Sequence, residues 1–167
     1  MIAKLLNKGD KYTGAIVLGL HDALVEFIGI IVGLSFALEN SRLVMTAAIV
    51  AGVSASLSMG ASNYLAEKAN ENPDAIKAGL SSCLSYMATV ALLVVPFAVL
   101  PTARMTDALL LMFLAAFMII LGSSYYVSRV KKSRTFIGTF SEMLIICSAV
   151  SLVAFGIGKL AKMFLGV

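Results

Sequence analysis

Hydrophobic residues along this chain neither alternate with polar ones nor keep to a single helical stripe. They run on, with few interruptions, for more than a bilayer's depth. A bilayer core needs about 20 mostly apolar residues per helix. Five segments reach that length: residues 14–38, 43–66, 78–100, 108–127 and 136–158. Breakers and charges separate them at Glu39-Asn40-Ser41-Arg42, Asn72-Pro73, Pro101-Thr102 and Arg129 to Arg134. Such short connections force successive helices antiparallel. The pattern therefore predicts an all-α membrane protein, a single transmembrane domain of five helices occupying residues 1–167. A membrane barrel would need alternating apolar and polar positions, which these continuous runs lack.

Composition agrees with lipid as the solvent. Hydrophobic residues make up 60% of the 167 and charged residues 13%, with a mean hydropathy of +0.97; ordinary soluble domains are roughly 45–50% apolar and about 25% charged. The net charge of +4 comes from Lys and Arg scattered between apolar runs, not from a basic stripe with interleaved aromatics, so nucleic acid is excluded as a partner. Cys83 and Cys147 lie inside apolar runs without metal-ligand spacing and read as core residues. The segment MIAKLLNKGDKY lacks the order of a cleavable signal and is expected to stay.

Orientation follows from the basic residues of alternate connections. One side holds Lys4, Lys8, Lys11, Lys68, Lys77, Arg129, Lys131, Lys132 and Arg134, nine in all; the other holds four, Arg42, Arg104, Lys159 and Lys162. The count predicts a cytoplasmic N-terminus and an outside C-terminus.

All 13 basic residues fall outside the predicted spans, whereas three of the nine carboxylates, Asp22, Glu26 and Glu142, fall within them. A charge at mid-membrane costs at least about 2.5–3.5 kcal/mol on insertion scales, so such residues usually serve a polar pathway. Acids without an internal base point to a cation. Gly19, Asp22, Glu26, Gly29 and Gly33 share one helical face, because residues three and four apart are neighbours on a helix. Glycines on that face admit another backbone closely. A plain glycine packing seam would use them too but would not explain why the acids share it, and the shared face predicts a homodimer with the first helices at its centre. His21, one step off the face, reads as a hydrogen-bonding neighbour rather than a ligand.

On the second helix Gly52, Ala55, Met59 and Ser62 repeat the spacing, and Met59, Asn63, Glu67 and Glu71 form an i, i+4 ladder. At about 1.5 Å per residue, Asp22 and Met59 meet at one depth in antiparallel helices. Carboxylate oxygens with a thioether suit Fe²⁺ or Mn²⁺ better than Mg²⁺ or Ca²⁺, which take oxygen alone, although Met in apolar helices also fills space. Glu142, near the cytoplasmic end of its span, is either a proton relay or a protonated acid bonded to a neighbouring helix. Glu67, Glu71 and Asp74 form either a capture site for incoming metal or an ordinary solvated loop.

At these residues the chain resembles the vacuolar iron transporter (VIT1/CCC1) family, in its short prokaryotic type. The resemblance rests on GLHDALVEFIGIIVGLSFAL and VAGVSASLSMGASNYLAEKA, and continues through KAGLSSCLSYMATVALLVVP and SEMLIICSAVSLVAFGIGKL. It implies a homodimer of five-helix protomers that exchanges Fe²⁺, and in some members Mn²⁺, for protons, with no permanently bound cofactor. The family's transport Asp falls on Asp22, its Met on Met59, and Glu26 occupies an acidic position of the prokaryotic-type members. Asn63 stands where the family usually has Glu; an amide keeps an oxygen ligand but supplies no charge and takes no proton. Only 11 residues, Glu67 to Lys77, stand where many members insert a cytosolic metal-binding domain, so no separate domain is expected.

The expected function is thus proton-coupled efflux of Fe²⁺ or Mn²⁺ from the cytosol, by a multi-pass protein of a prokaryotic cell membrane. A small exporter of organic cations would also need a membrane acid, but its site should be walled by aromatics and this chain has no Trp. A noncatalytic scaffold would not need two membrane acids. An intramembrane metalloenzyme is disfavoured by a single His and no HExxH, and the chain is not expected to be an enzyme.

Overall fold

The computed structural model describes residues 2–101, 104–130 and 135–165. They form five helices: α1 (Ile2–Leu38), α2 (Ser41–Ala69), α3 (Ala75–Val99), α4 (Met105–Val130) and α5 (Phe136–Leu165). Each contains a stretch long and apolar enough to span a bilayer, and there is no strand among the described residues. The chain is an integral, multi-pass membrane protein. Lys131, Lys132 and Arg134, and the side chains of Lys4, Lys8 and Lys11, lie outside the described residues.

The helices run past most of the predicted span limits. Apolarity marks the part that meets lipid, whereas the hydrogen-bonded backbone continues into the interface. The largest difference within the described side chains is α5, which continues to Leu165 instead of stopping at Gly158. Lys159 and Lys162 therefore sit on helical turns, not in a loop. Lys159 lies over the Phe155 ring, 4.8 Å from its centre, and Lys162 pairs with Glu39 at the end of α1, as long basic side chains do near helix ends. Asn40 caps α2, its Oδ1 accepting from the backbone N–H groups of Arg42 and Leu43 at 3.1 and 3.2 Å, so the break between α1 and α2 is very short. Pro96 lies inside α3 without ending it, and the helix stops at Val99 before Pro101.

Helix α1 is the hub, packed against all four others. Ala23, Leu24, Phe27, Ile28, Ile31 and Val32 are buried. Between helices the residues are small or hydroxylated, as expected where lipid offers no hydrophobic drive and close packing must hold the bundle. The α2–α3 seam shows this: a Cβ on Gly79 would lie 2.6 Å from the Gly60 carbonyl oxygen. Large apolar side chains such as Val50, Leu84, Leu110, Ile145 and Leu152 point outward. Cys83 and Cys147 are buried free thiols.

Candidate functional site

Asp22 and Glu26 stand one turn apart on α1 and open into a cleft of about 550 Å³ against α2, lined there by Ala51, Ser54, Ala55, Ser58, Met59 and Ser62. The structure thus brings together both acids and the thioether. Helix α2 builds its wall by periodicity: Ser54, Ser58 and Ser62 repeat every four residues on the cleft side, while Val44, Ala48, Gly52, Ser56, Gly60 and Asn63 form the buried side. The hydroxyl row was legible as an i, i+4 series, but among its members only Ser62 stood out in the sequence.

Both carboxylates are exposed on the single chain, as are Ser54, Ser58 and Ser62. The cleft therefore lies open on the protomer's flank, within the membrane-spanning parts of two helices. Behind it stands Tyr86 of α3, fully buried, whose hydroxyl donates to Oε2 of Glu26. Nothing in the pattern of α3 marked Tyr86, an aromatic between Ser85 and Met87; only the fold reveals the contact.

Three sequence expectations change. Asn63 is not in the cleft: it continues the buried row of α2, and its amide donates to the Ala78 carbonyl and the Ser82 hydroxyl, both at 3.2 Å. It joins α2 to α3 where a metal ligand was expected, because Ser62, about 100° away on the helix, holds the cleft-facing position. The glycines, expected to seat a second first helix, come into close contact with helices of the same chain. A Cβ on Gly19 would collide with the Ser82 backbone of α3. On Gly29 it would lie 2.9 Å from Val150, and on Gly33 3.3 Å from the Ala154 carbonyl, both of α5. Below Glu26 this seam leaves an apolar groove of about 530 Å³ between α1 and α5.

The loop carboxylates, third, do not converge. Glu67 accepts from the Asn72 amide at 2.6 Å, Asp74 pairs with Lys77 at 3.0 Å, and Glu71 is exposed with φ of 56°. Among the described residues no three His, Cys, Asp or Glu side chains are grouped to hold a metal ion.

Glu142 lies elsewhere. It lines a smaller cavity of about 320 Å³ on another side of α1, with Thr13, His21 and Thr139. His21 contacts the Ser123 hydroxyl at 3.3 Å through Nε2, and Thr13 contacts the Tyr126 hydroxyl at 3.2 Å. His21 is thus a hydrogen-bonding neighbour, as expected, and Glu142 does not line the cleft of Asp22 and Glu26.

Residues 13–74 match the VIT family. The match runs from α1 through α2 to the connection before α3, and so includes Asp22, Glu26 and Met59. It is consistent with the VIT1/CCC1 resemblance of these two helices, and the VIT family suggests membrane metal-ion transport. Comparison with curated proteins returned no match.

Proposed function

We propose that the chain exports Fe²⁺, and Mn²⁺ by the same chemistry, from the cytosol in exchange for protons. The observation that carries this reading is the cleft itself: two carboxylates and a thioether at one depth, walled by hydroxyls, on helices that cross the membrane. Asp22 and Glu26 supply charge and oxygen, Met59 the softer sulfur, and Ser54, Ser58 and Ser62 groups that hold water around a partly hydrated ion. Oxygen with sulfur favours a transition metal over Mg²⁺ or Ca²⁺. The ion is cargo, and no resident cofactor is needed.

Low dielectric favours the neutral form of a carboxylic acid, and a bound divalent cation favours the ionised form. Metal entering from the cytosol therefore displaces protons, and protons arriving from outside displace metal. The N-terminus is cytoplasmic in this reading, as the distribution of Lys and Arg suggests.

The working unit is a homodimer. An open flank carrying two acids and three serines is incompatible with lipid, since each charge there costs several kcal/mol, and one protomer supplies too few ligands to enclose an ion. A second copy over the cleft and the adjoining α1–α5 groove would supply both a cover and a second ligand set. Chemical crosslinking of Ser58→Cys protomers in membranes, with metal uptake by liposomes under an imposed pH gradient, tests the proposal. Crosslinked dimers and metal movement against the proton flow are expected. Failure of cleft positions to link, or metal flux indifferent to the pH gradient, would overturn it.

A further inference from the structure

The two carboxylates of the cleft differ in what holds them. Asp22 has no side-chain hydrogen bond among the described residues, whereas Glu26 receives one from Tyr86 through Oε2. Tyr86 has little freedom to adjust. Its side chain is fully buried, and its ring meets Phe27 edge-on, with centroids 5.9 Å apart and planes at 87°. Phe27 is itself fully buried in the α1 core. A buried phenol keeps its hydrogen-bond partner, because losing it strands a polar group where no water replaces it. Tyr86 is not part of the cleft lining, so it reaches Glu26 from behind, as an outer-shell partner reaches a ligand.

The bond engages one carboxylate oxygen and leaves Oε1 as the oxygen free of it. Calcium gathers six to eight oxygens and commonly takes both oxygens of a carboxylate, whereas smaller divalent ions need fewer ligands in stricter geometry. A carboxylate fixed to offer one oxygen is therefore a poorer calcium ligand but remains a good ligand for Mn²⁺ or Fe²⁺.

We propose that Tyr86 is a positioning residue that sets metal specificity by holding Glu26 as a one-oxygen ligand. The inference rests on the reading of the cleft as a metal path. Its test is Mn²⁺ binding to the purified full chain, followed by electron paramagnetic resonance, with Ca²⁺ as competitor.

Tyr86→Phe removes one oxygen and keeps the ring against Phe27. The preference for Mn²⁺ over Ca²⁺ should narrow about ten-fold, the lower end of what losing an outer-shell partner costs. In a Glu26→Gln background the same change should leave the ratio where Glu26→Gln alone puts it. An unchanged ratio in Tyr86→Phe would overturn the proposal, and so would an equal shift in both backgrounds, which would mean that Tyr86 acts through packing. Glu26→Asp provides a second arm that does not touch Tyr86. It withdraws the carboxylate from the hydroxyl and should narrow the preference too; an unchanged or wider preference would count against the proposal. If Asp22→Asn and Glu26→Gln both bind Mn²⁺ like the unaltered chain, the reading of the cleft fails, and the role of Tyr86 with it. That outcome is distinct from failure of Tyr86→Phe alone.

Discussion

Two hollows flank α1, and successive residues of that helix enter them: His21 lines one and Asp22 the other. The cavity of His21 and Glu142 lies between α1, α4 and α5, lined by apolar side chains such as Val17, Val127 and Met143 together with the hydroxyls of Thr13 and Thr139, and Glu142 is exposed there. The cleft of Asp22 and Glu26 is wider, open at the flank, and combines two acids with a thioether. A single membrane acid among hydroxyls describes structural polarity as well as it describes transport. Two acids one turn apart, opposite a sulfur and a row of serines, are the basis of the cation path proposed above. Membrane acids are thus informative through their company, not through their number.

The comparison breaks most severely at Asp22. Asp22→Asn keeps the shape but removes charge and titration, so metal transport by liposomes should fall to background. Glu26→Gln should do the same or leave a slow remnant. Full activity in Asp22→Asn would remove the distinction between the two hollows.

Next in size is the α1–α5 seam. Gly33→Leu must push aside the backbone of Ala154 and should cost about 1–3 kcal/mol, the usual penalty of overpacking. Gly122→Leu, where a Cβ meets nothing within 4 Å, should cost almost nothing. Thermal unfolding in detergent separates the two, and equal midpoints would contradict the packing described here.

Met59→Leu keeps volume roughly constant and removes the sulfur. Fe²⁺ transport should weaken several-fold with unfolding unchanged, whereas unaltered kinetics would make Met59 a space-filler. Asn63→Ala should behave oppositely. It loses two hydrogen bonds to α3, worth about 0.6–1.7 kcal/mol each in a membrane, yet transport per folded molecule should persist. Loss of transport at unchanged stability would return Asn63 to the ligand set. The smallest effect is expected from Glu142→Gln, which should leave metal flux and its pH dependence nearly intact; loss of proton coupling there would make the second cavity the proton route.

Much of this contrast was legible in the sequence. Continuous apolar runs fixed five helices, because no other arrangement satisfies backbone groups across lipid in a chain without alternating strands. The one-turn spacing of Asp22 and Glu26 put them on one face, and depth counting brought Met59 opposite. Direction was harder to read. Gly29 and Gly33 announce close approach without saying which helix approaches, and that helix is α5 of the same chain. Asn63 lies four residues from Met59, an offset of about 40° around the axis, enough to move it from the cleft side to the α3 side. Tyr86 left no trace, because its role depends on a contact 60 residues away in sequence.

The central claim is that metal and protons compete for the carboxylates of the cleft. Proton release on adding Fe²⁺ to the purified protein in liposomes, followed with a pH-sensitive dye under anaerobic conditions, tests it most directly. The account predicts release that saturates with metal, apparent metal affinity that rises with pH because protons compete for the ligands, and no release from Asp22→Asn. Metal crossing the membrane at the same rate with no pH change, or undiminished proton release from Asp22→Asn, would contradict it.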